Sequence, residues 1–306
     1  MITFVLSGAA NFGAMQAGAL EVLLEHGIKP EMVVGSSAGA LNAIHLAHEP
    51  TLAGVATIQD LWRQAGPEAV GVPKAFTAIR NLARQRDSLV DNTQLVTFLK
   101  HVLPQNVDTF GQLGATSGVR AFAVAVEMDS GSMRVFGDDG DDQLLDGAMA
   151  STAIPPYFPP WDVAGKRYLD GGIYSKLPLY AAIMRGATQI IGIDVSYAMG
   201  SLNNARGVMG ISGYALSLMV ERQTASEIAW SRMKGIELRL LRLEAPADIP
   251  FWDYSQADRM IEIGREETRK ALKDEPIQVL PKWRLRMRKR IANLRSGGHQ
   301  FPPEEI

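Results

Sequence analysis

The chain alternates short apolar runs with longer stretches of helical period. Thr3 to Leu6 is a run of strand length, and Ala14 to His26 follows it with Leu20, Leu23 and Leu24 on one helical face. Met32 to Val34 is a second apolar run. Strand, helix and strand with short links predict a βαβ unit, whose strands are parallel neighbours with a right-handed crossover. Residues 51–103 carry no convincing strand and several helical stretches, around Pro67, Pro73 and the charged run Arg80 to Asp87. They predict a helical insertion that lines or covers a site. Alternation in Arg120 to Met128 and in Met133 to Phe136, with Asp129, Ser130 and Gly131 between, predicts a hairpin. A helical turn over Leu144 to Ser151, a proline-rich passage Ile154 to Pro160 and an extended Lys166 to Leu169 come next. The pattern then predicts a helix over Leu177 to Arg185, a strand over Gln189 to Val195, a helix over Gly207 to Trp230 and an extended Ile236 to Leu243. Ser255 to Leu272 reads as a strongly amphipathic helix with Met260, Ile261, Ile263 and Leu272. The order predicts an α/β fold, a mostly parallel sheet between helical layers.

Composition narrows the class. The 306 residues are 46% hydrophobic and 21% charged with a net charge of −2, an ordinary globular profile whose near-neutral charge argues against a nucleic-acid binder. No window approaches the ~20 apolar residues of a membrane span, and the first residues lack the basic and apolar regions of a secretory signal. The expectation is a cytoplasmic protein, peripheral at most to the inner membrane surface. With no cysteine, disulfides, thiol nucleophiles and thiolate metal sites are excluded. Lys282 to Arg295 differs from the rest, with seven Lys or Arg and no acid. In helical register Trp283, Met287, Ile291 and Leu294 share a face. Such a helix either docks on an anionic membrane surface or packs its stripe on the body. It sets a tail, 276–306, apart from a catalytic body, 1–275.

The chemistry begins at Gly35-Ser36-Ser37-Ala38-Gly39, a Gly-x-Ser-x-Gly turn that ends an apolar run and opens an alanine-rich helix. In that context the pattern is a nucleophile elbow, and its glycines remove side chains that would clash in so tight a turn. A serine needs a base. Of five histidines, at 26, 45, 48, 101 and 299, only His101 and His299 lie well downstream, so a Ser-His-Asp triad is poorly supported. His45 and His48 read as structural or surface residues behind the elbow. The alternative base is Asp170, which ends an extended segment and precedes Gly171 and Gly172; desolvation makes such a carboxylate a competent base. Asp146-Gly147-Ala148 is a decoy in a helical turn. The loop Ser7 to Gly13, between the first strand and its helix, is the expected oxyanion site, with main-chain donors from Gly8, Ala9, Ala10 and Ala38. Read instead as a dinucleotide loop, Gly8-x-Ala10-x-x-Gly13 lacks the ribose-binding acid after the second strand. No cofactor motif is present, and Asp138, Asp139, Asp141 and Asp142 lack calcium-loop spacing and read as a solvated turn.

With these three segments in order, the chain resembles the patatin-like phospholipases, bacterial members especially. Ser37 matches the family's Gly-x-Ser-x-Gly serine and Asp170 its Asp-Gly-Gly acid. Ser151-Thr152-Ala153-Ile154-Pro155 with Phe158-Pro159-Pro160 is similar to the family's Ala-Ser-x-Ala-x-Pro…Phe-x-Pro stretch, and the helix from Asp253 to Ala271 to its closing helix. The resemblance covers roughly residues 3 to 273 and implies a three-layer patatin-like sandwich. It also implies a Ser-Asp dyad without histidine, and cleavage of phospholipid or lysophospholipid esters through an acyl-enzyme. Acyl transfer by the same serine, or lipid binding with weak catalysis, stays open. Two features depart from the family pattern. Its oxyanion loop reads Gly-Gly-Gly-x-Arg-Gly, whereas here Ala9 and Ala10 replace glycines and Phe12 the arginine. Where the family often has Asn two residues before a proline, Lys176 precedes Leu177 and Pro178.

Overall fold

The computed structural model describes residues 1–66, 87–196 and 207–295; Pro67, Pro73, the run from Arg80, and His299 lie outside them. The strands are β1 (Ile2–Leu6), β2 (Met32–Ser36), β3 (Arg120–Glu127), β4 (Met133–Phe136), β5 (Trp161–Val163), β6 (Lys166–Asp170), β7 (Gln189–Ser196) and β8 (Glu237–Glu244). The α-helices are α1 (Gly13–Glu25), α2 (Ala38–His48), α3 (Leu52–Gln64), α4 (Thr93–Val102), α5 (Phe110–Ser117), α6 (Leu144–Thr152), α7 (Leu179–Met184), α8 (Gly207–Met233), α9 (Ala257–Asp274) and α10 (Lys282–Arg295).

Hydrogen-bonded neighbours run β5-β6-β3-β2-β1-β7-β8, with β4 also on β3. From β3 to β8 every pairing is parallel, as the βαβ reading requires. Central strands covered on both faces are apolar throughout rather than alternating, and successive residues feed two cores. Phe4 and Leu6 of β1 join α1, α2, α3 and α9 on one side. Val5 between them joins Leu179 and Ala182 of α7 and Ile228 of α8 on the other. The predicted hairpin is β3 and β4. The short strand β5 and the helix α5 were not legible in the hydrophobic pattern; α5 is held by a capping box between Thr109 and Gln112.

One detail of the sheet places the site. Ala123 to Val126 of β3 pair with β4, Arg120 to Val124 pair with β2, and Ala125 to Glu127 pair with β6. Val124 is bonded to both β2 and β4, and Ala125 to both β4 and β6, so β2 and β6 share the edge opposite β4. They meet there end to end, with Ser36 opposite Val124 and Asp170 opposite the next residue, Ala125. The extended segment that Asp170 ends, β6, is antiparallel to β3. It descends toward Ser37 from beyond the end of β2.

The basic C-terminal helix α10 sits under the opposite end of the sheet. Its Arg288 pairs with Glu237, the first residue of β8, and Gly235 lies so close to Ala292 that a Cβ would come within 2.7 Å of it. Leu285 is buried, yet Trp283, Met287 and Ile291 of the predicted stripe are exposed, so these three do not pack on the body. The acid-rich turn is tied up locally: Asp142 pairs with Arg134 and accepts the Gly137 N–H, and Asp138 pairs with Arg185.

The first and last helices of the body touch backbone to backbone. A Cβ on Gly18 of α1 would lie 2.0 Å from the Ile261 carbonyl oxygen, and one on Gly264 of α9 would lie 2.0 Å from that of Met15. Gly264→Ala should therefore destabilise the fold by about 2 kcal/mol or more through forced separation of the helices, read as a lowered urea midpoint at unchanged slope.

Candidate active site

Ser37 begins α2 with φ 54° and ψ −125°, a conformation that costs a non-glycine residue of order 1–3 kcal/mol and persists only when its surroundings enforce it. The enforcement is visible. A Cβ on Gly35 would strike the Gly39 carbonyl at 2.1 Å, and one on Gly39 would strike that of Leu6 at 2.4 Å. The Ser37 N–H donates to Ser151 Oγ at 2.9 Å, and Ser151 in turn donates to the Val124 carbonyl at 2.6 Å. Ser151 thus fastens the elbow to β3, a role that only the family stretch around it could have suggested.

Asp170 is 2% exposed. Its Oδ1 accepts the Gly172 N–H at 2.7 Å, and Oδ2 is sealed from water without a hydrogen bond of standard geometry. Desolvation pushes the carboxyl up to about 6, while hydrogen bonding from the Ser37 side chain and the Gly172 N–H pulls it down. Ser37 therefore stands close enough to act on the carboxyl, but in a loose contact; resting sites commonly tighten such contacts only with substrate. Gly171 lets the chain pass over β3, since a Cβ there would meet the Val124 carbonyl at 2.1 Å and Ser36 Oγ at 2.8 Å. The chain places the two groups expected to react in one spot. Neither His45, buried on α2 with its pKa lowered to about 4 by burial and by His48, nor the exposed His101 acts on Asp170. Asp146 accepts from Trp161 Nε1 and stays outside the site.

The oxyanion loop departs from expectation at Gly8. Its N–H donates to the Lys176 carbonyl at 2.8 Å, so Gly8 lines the site beside Ser37 Cβ instead of serving as a donor. The N–H groups of Ala9, Ala10 and Ala38 have no acceptor among the described residues. Ala10 adopts φ 49°, the positive-φ position that a family glycine would fill without strain. Lys176 closes the loop from behind, its Nζ paired with Asp194 at 2.9 Å.

A buried polar chain holds the loop to the elbow helix. Gln16 Nε2 donates to the Ser7 carbonyl at 2.8 Å, Asn42 Nδ2 to Gln16 Oε1 at 2.9 Å, and Trp62 Nε1 to Asn42 Oδ1 at 2.8 Å. Asn11 Nδ2 clamps the carbonyls of Pro250 and Asp253 at 3.0 and 2.6 Å. On the far side, Glu227 of α8 accepts from the Ser175 hydroxyl at 2.5 Å and the Tyr180 N–H at 2.9 Å. Sequence reasoning missed these supports. Their signal was polar residues set inside apolar helical runs, such as Gln16 and Asn42.

An elbow serine at a helix start, a desolvated carboxyl and main-chain N–H groups without an acceptor among the described residues thus gather at one place in the fold. Residues 4–183 match the profile of the patatin-like phospholipase family, and the chain belongs to that family. It is 26% identical over 197 residues to mouse patatin-like phospholipase domain-containing protein 7, a match that covers 63% of this chain but 13% of the relative. Among solved structures it is similar to VipD from Legionella pneumophila, with a TM-score of 0.46 and 15% identity over 89% of this chain and 66% of that one. It is also similar to the type III effector ExoU, with a TM-score of 0.43 and 14% identity over 97% and 60%.

The Asp170 carboxyl has a folded pKa above its unfolded value, so the folded chain keeps a proton that the unfolded chain releases. Stability is then lost as pH rises from about 4 through about 6. Asp170→Asn, which never ionises, should exceed the wild type by about 1–3 kcal/mol at pH 8. Thermal melts at both pH values should show this advantage vanishing near pH 4.

Proposed function

We propose that the protein is a serine hydrolase of lipid carboxylic esters, with Ser37 as nucleophile and Asp170 as its base. The observation that carries this reading is the strained Ser37 set against a carboxyl in dry surroundings. Asp170 takes the hydroxyl proton as Ser37 Oγ attacks the ester carbonyl. The negative charge on the tetrahedral oxygen falls to the N–H groups of Ala38, Ala9 and Ala10, each such donor being worth about 3 kcal/mol in the transition state. Asp170 then protonates the departing alkoxide, leaving an acyl-Ser37. Water repeats the sequence: it loses a proton to Asp170, expels Ser37, and the proton returns to Oγ. The phospholipid or lysophospholipid class of ester is carried from the family.

Ser37→Ala should lower kcat on p-nitrophenyl esters by about 10³-fold or more and abolish labelling by an alkyl fluorophosphonate. Because the ionised Asp170 is the active form and its pKa stands at about 6, wild-type turnover should fall about tenfold per pH unit below that point. Undiminished turnover in Ser37→Ala, or no labelling of folded wild type, would overturn the assignment.

The exposed Trp283, Met287 and Ile291 of α10, among the cations of Lys282 to Arg295, support adsorption to anionic membrane surfaces. Removing residues 282–306 should weaken binding to phosphatidylglycerol vesicles at 50 mM salt and make little difference at 500 mM, measured by sedimentation.

A further inference from the structure

Helix α8 is stitched to the site at Glu227, through Ser175 and Tyr180. Past that point it runs toward Gly235 and the first residue of β8, at the strand-start end of the sheet. Its first half therefore lies on the Ser37 side. Up to Val220 that half contains no charged residue. The second half buries Thr224, Ile228 and Ser231 at helical spacing, whereas Ile211, Leu216, Leu218 and Met219 are exposed, Met219 at 68%. These four fall on one outward face. A water-facing helix ordinarily carries charge there.

The same rim bears further exposed apolar groups. Ile173 and Tyr174 directly follow the Asp-Gly-Gly turn, and Trp252 rides on the loop that Asn11 clamps to the oxyanion segment. Arg222, one turn beyond Leu218 on its face, is the first cation reached along the helix and is exposed. Apolar groups at the tip with a guanidinium behind them match the layering of a phospholipid surface, acyl chains beneath phosphates.

We infer that the outward face of α8 between Ile211 and Met219 inserts into a phospholipid surface and so presents Ser37 to substrate held there. This rests on the proposed reaction for its purpose, since the acyl chains of a phospholipid are seldom free in water. It is distinct from α10, which lies at the other end of the strands and acts through charge.

The test uses the full chain and vesicles of phosphatidylcholine, whose zero net charge removes the electrostatic contribution of α10, while its apolar side chains are the same in wild type and variant. Leu216→Glu with Met219→Glu changes two side chains at the surface, and an unchanged melting temperature would report an intact fold. The double variant should bind these vesicles at least tenfold more weakly and hydrolyse them correspondingly more slowly, with turnover of soluble p-nitrophenyl butyrate unchanged. Vesicle binding equal to wild type would overturn the inference. So would a wild type that elutes as a dimer with the variant a monomer, which would assign the face to a second copy of the chain. Failure of wild type to hydrolyse the soluble ester would instead fault the proposed reaction, and vesicle binding would still decide the docking face.

Discussion

The site depends on a single edge of β3. Because β2 and β6 occupy it end to end, Ser36 and Asp170 face consecutive residues of one strand, and two segments more than 130 positions apart are set side by side by backbone hydrogen bonds. Side-chain packing is not asked to find that register. The ladder supplies it, and Ser151 locks it by spanning the elbow and the Val124 carbonyl. The antiparallel sense of β6 matters as much, since a parallel strand would have carried its carboxyl away from the elbow.

Around this junction, strain and desolvation concentrate. Ser37 holds a backbone conformation that alanine or serine seldom adopts, Ala10 holds another, and Asp170 keeps a carboxyl oxygen dry. The surrounding polar groups are by contrast well matched. Gln16, Asn42 and Trp62 satisfy one another in series, and a satisfied buried network fixes geometry more firmly than apolar contacts alone. Lys176 and Glu227 do the same for the segment after Asp170, where the lysine departs from the family's usual asparagine.

Much of this was legible along the chain because its signals are local. The Gly-x-Ser-x-Gly turn, the small-residue loop and Asp-Gly-Gly each encode a backbone shape through residues that tolerate it. Helix limits came within a few positions wherever apolar period was strong, as in α1 and α9. What stayed hidden was non-local: that β6 runs antiparallel, that the Gly8 N–H is spent on Lys176, and that Trp283 and Met287 face outward. None of these follows from the composition of its own segment. The strand β5 was missed because three residues carry no period.

The Gly18 and Gly264 contact has a consequence for how the molecule comes together during synthesis. Strand β1 lies between β2 and β7, and α1 is sealed by α9, so β1 gains its second neighbour and α1 its cover only after most of the body has left the ribosome. A fragment cut at residue 183, where the family match ends, would have β1 with a bare edge and α1 with an uncovered flank. Both are sticky surfaces, and such a piece would seek its own kind before it found a fold.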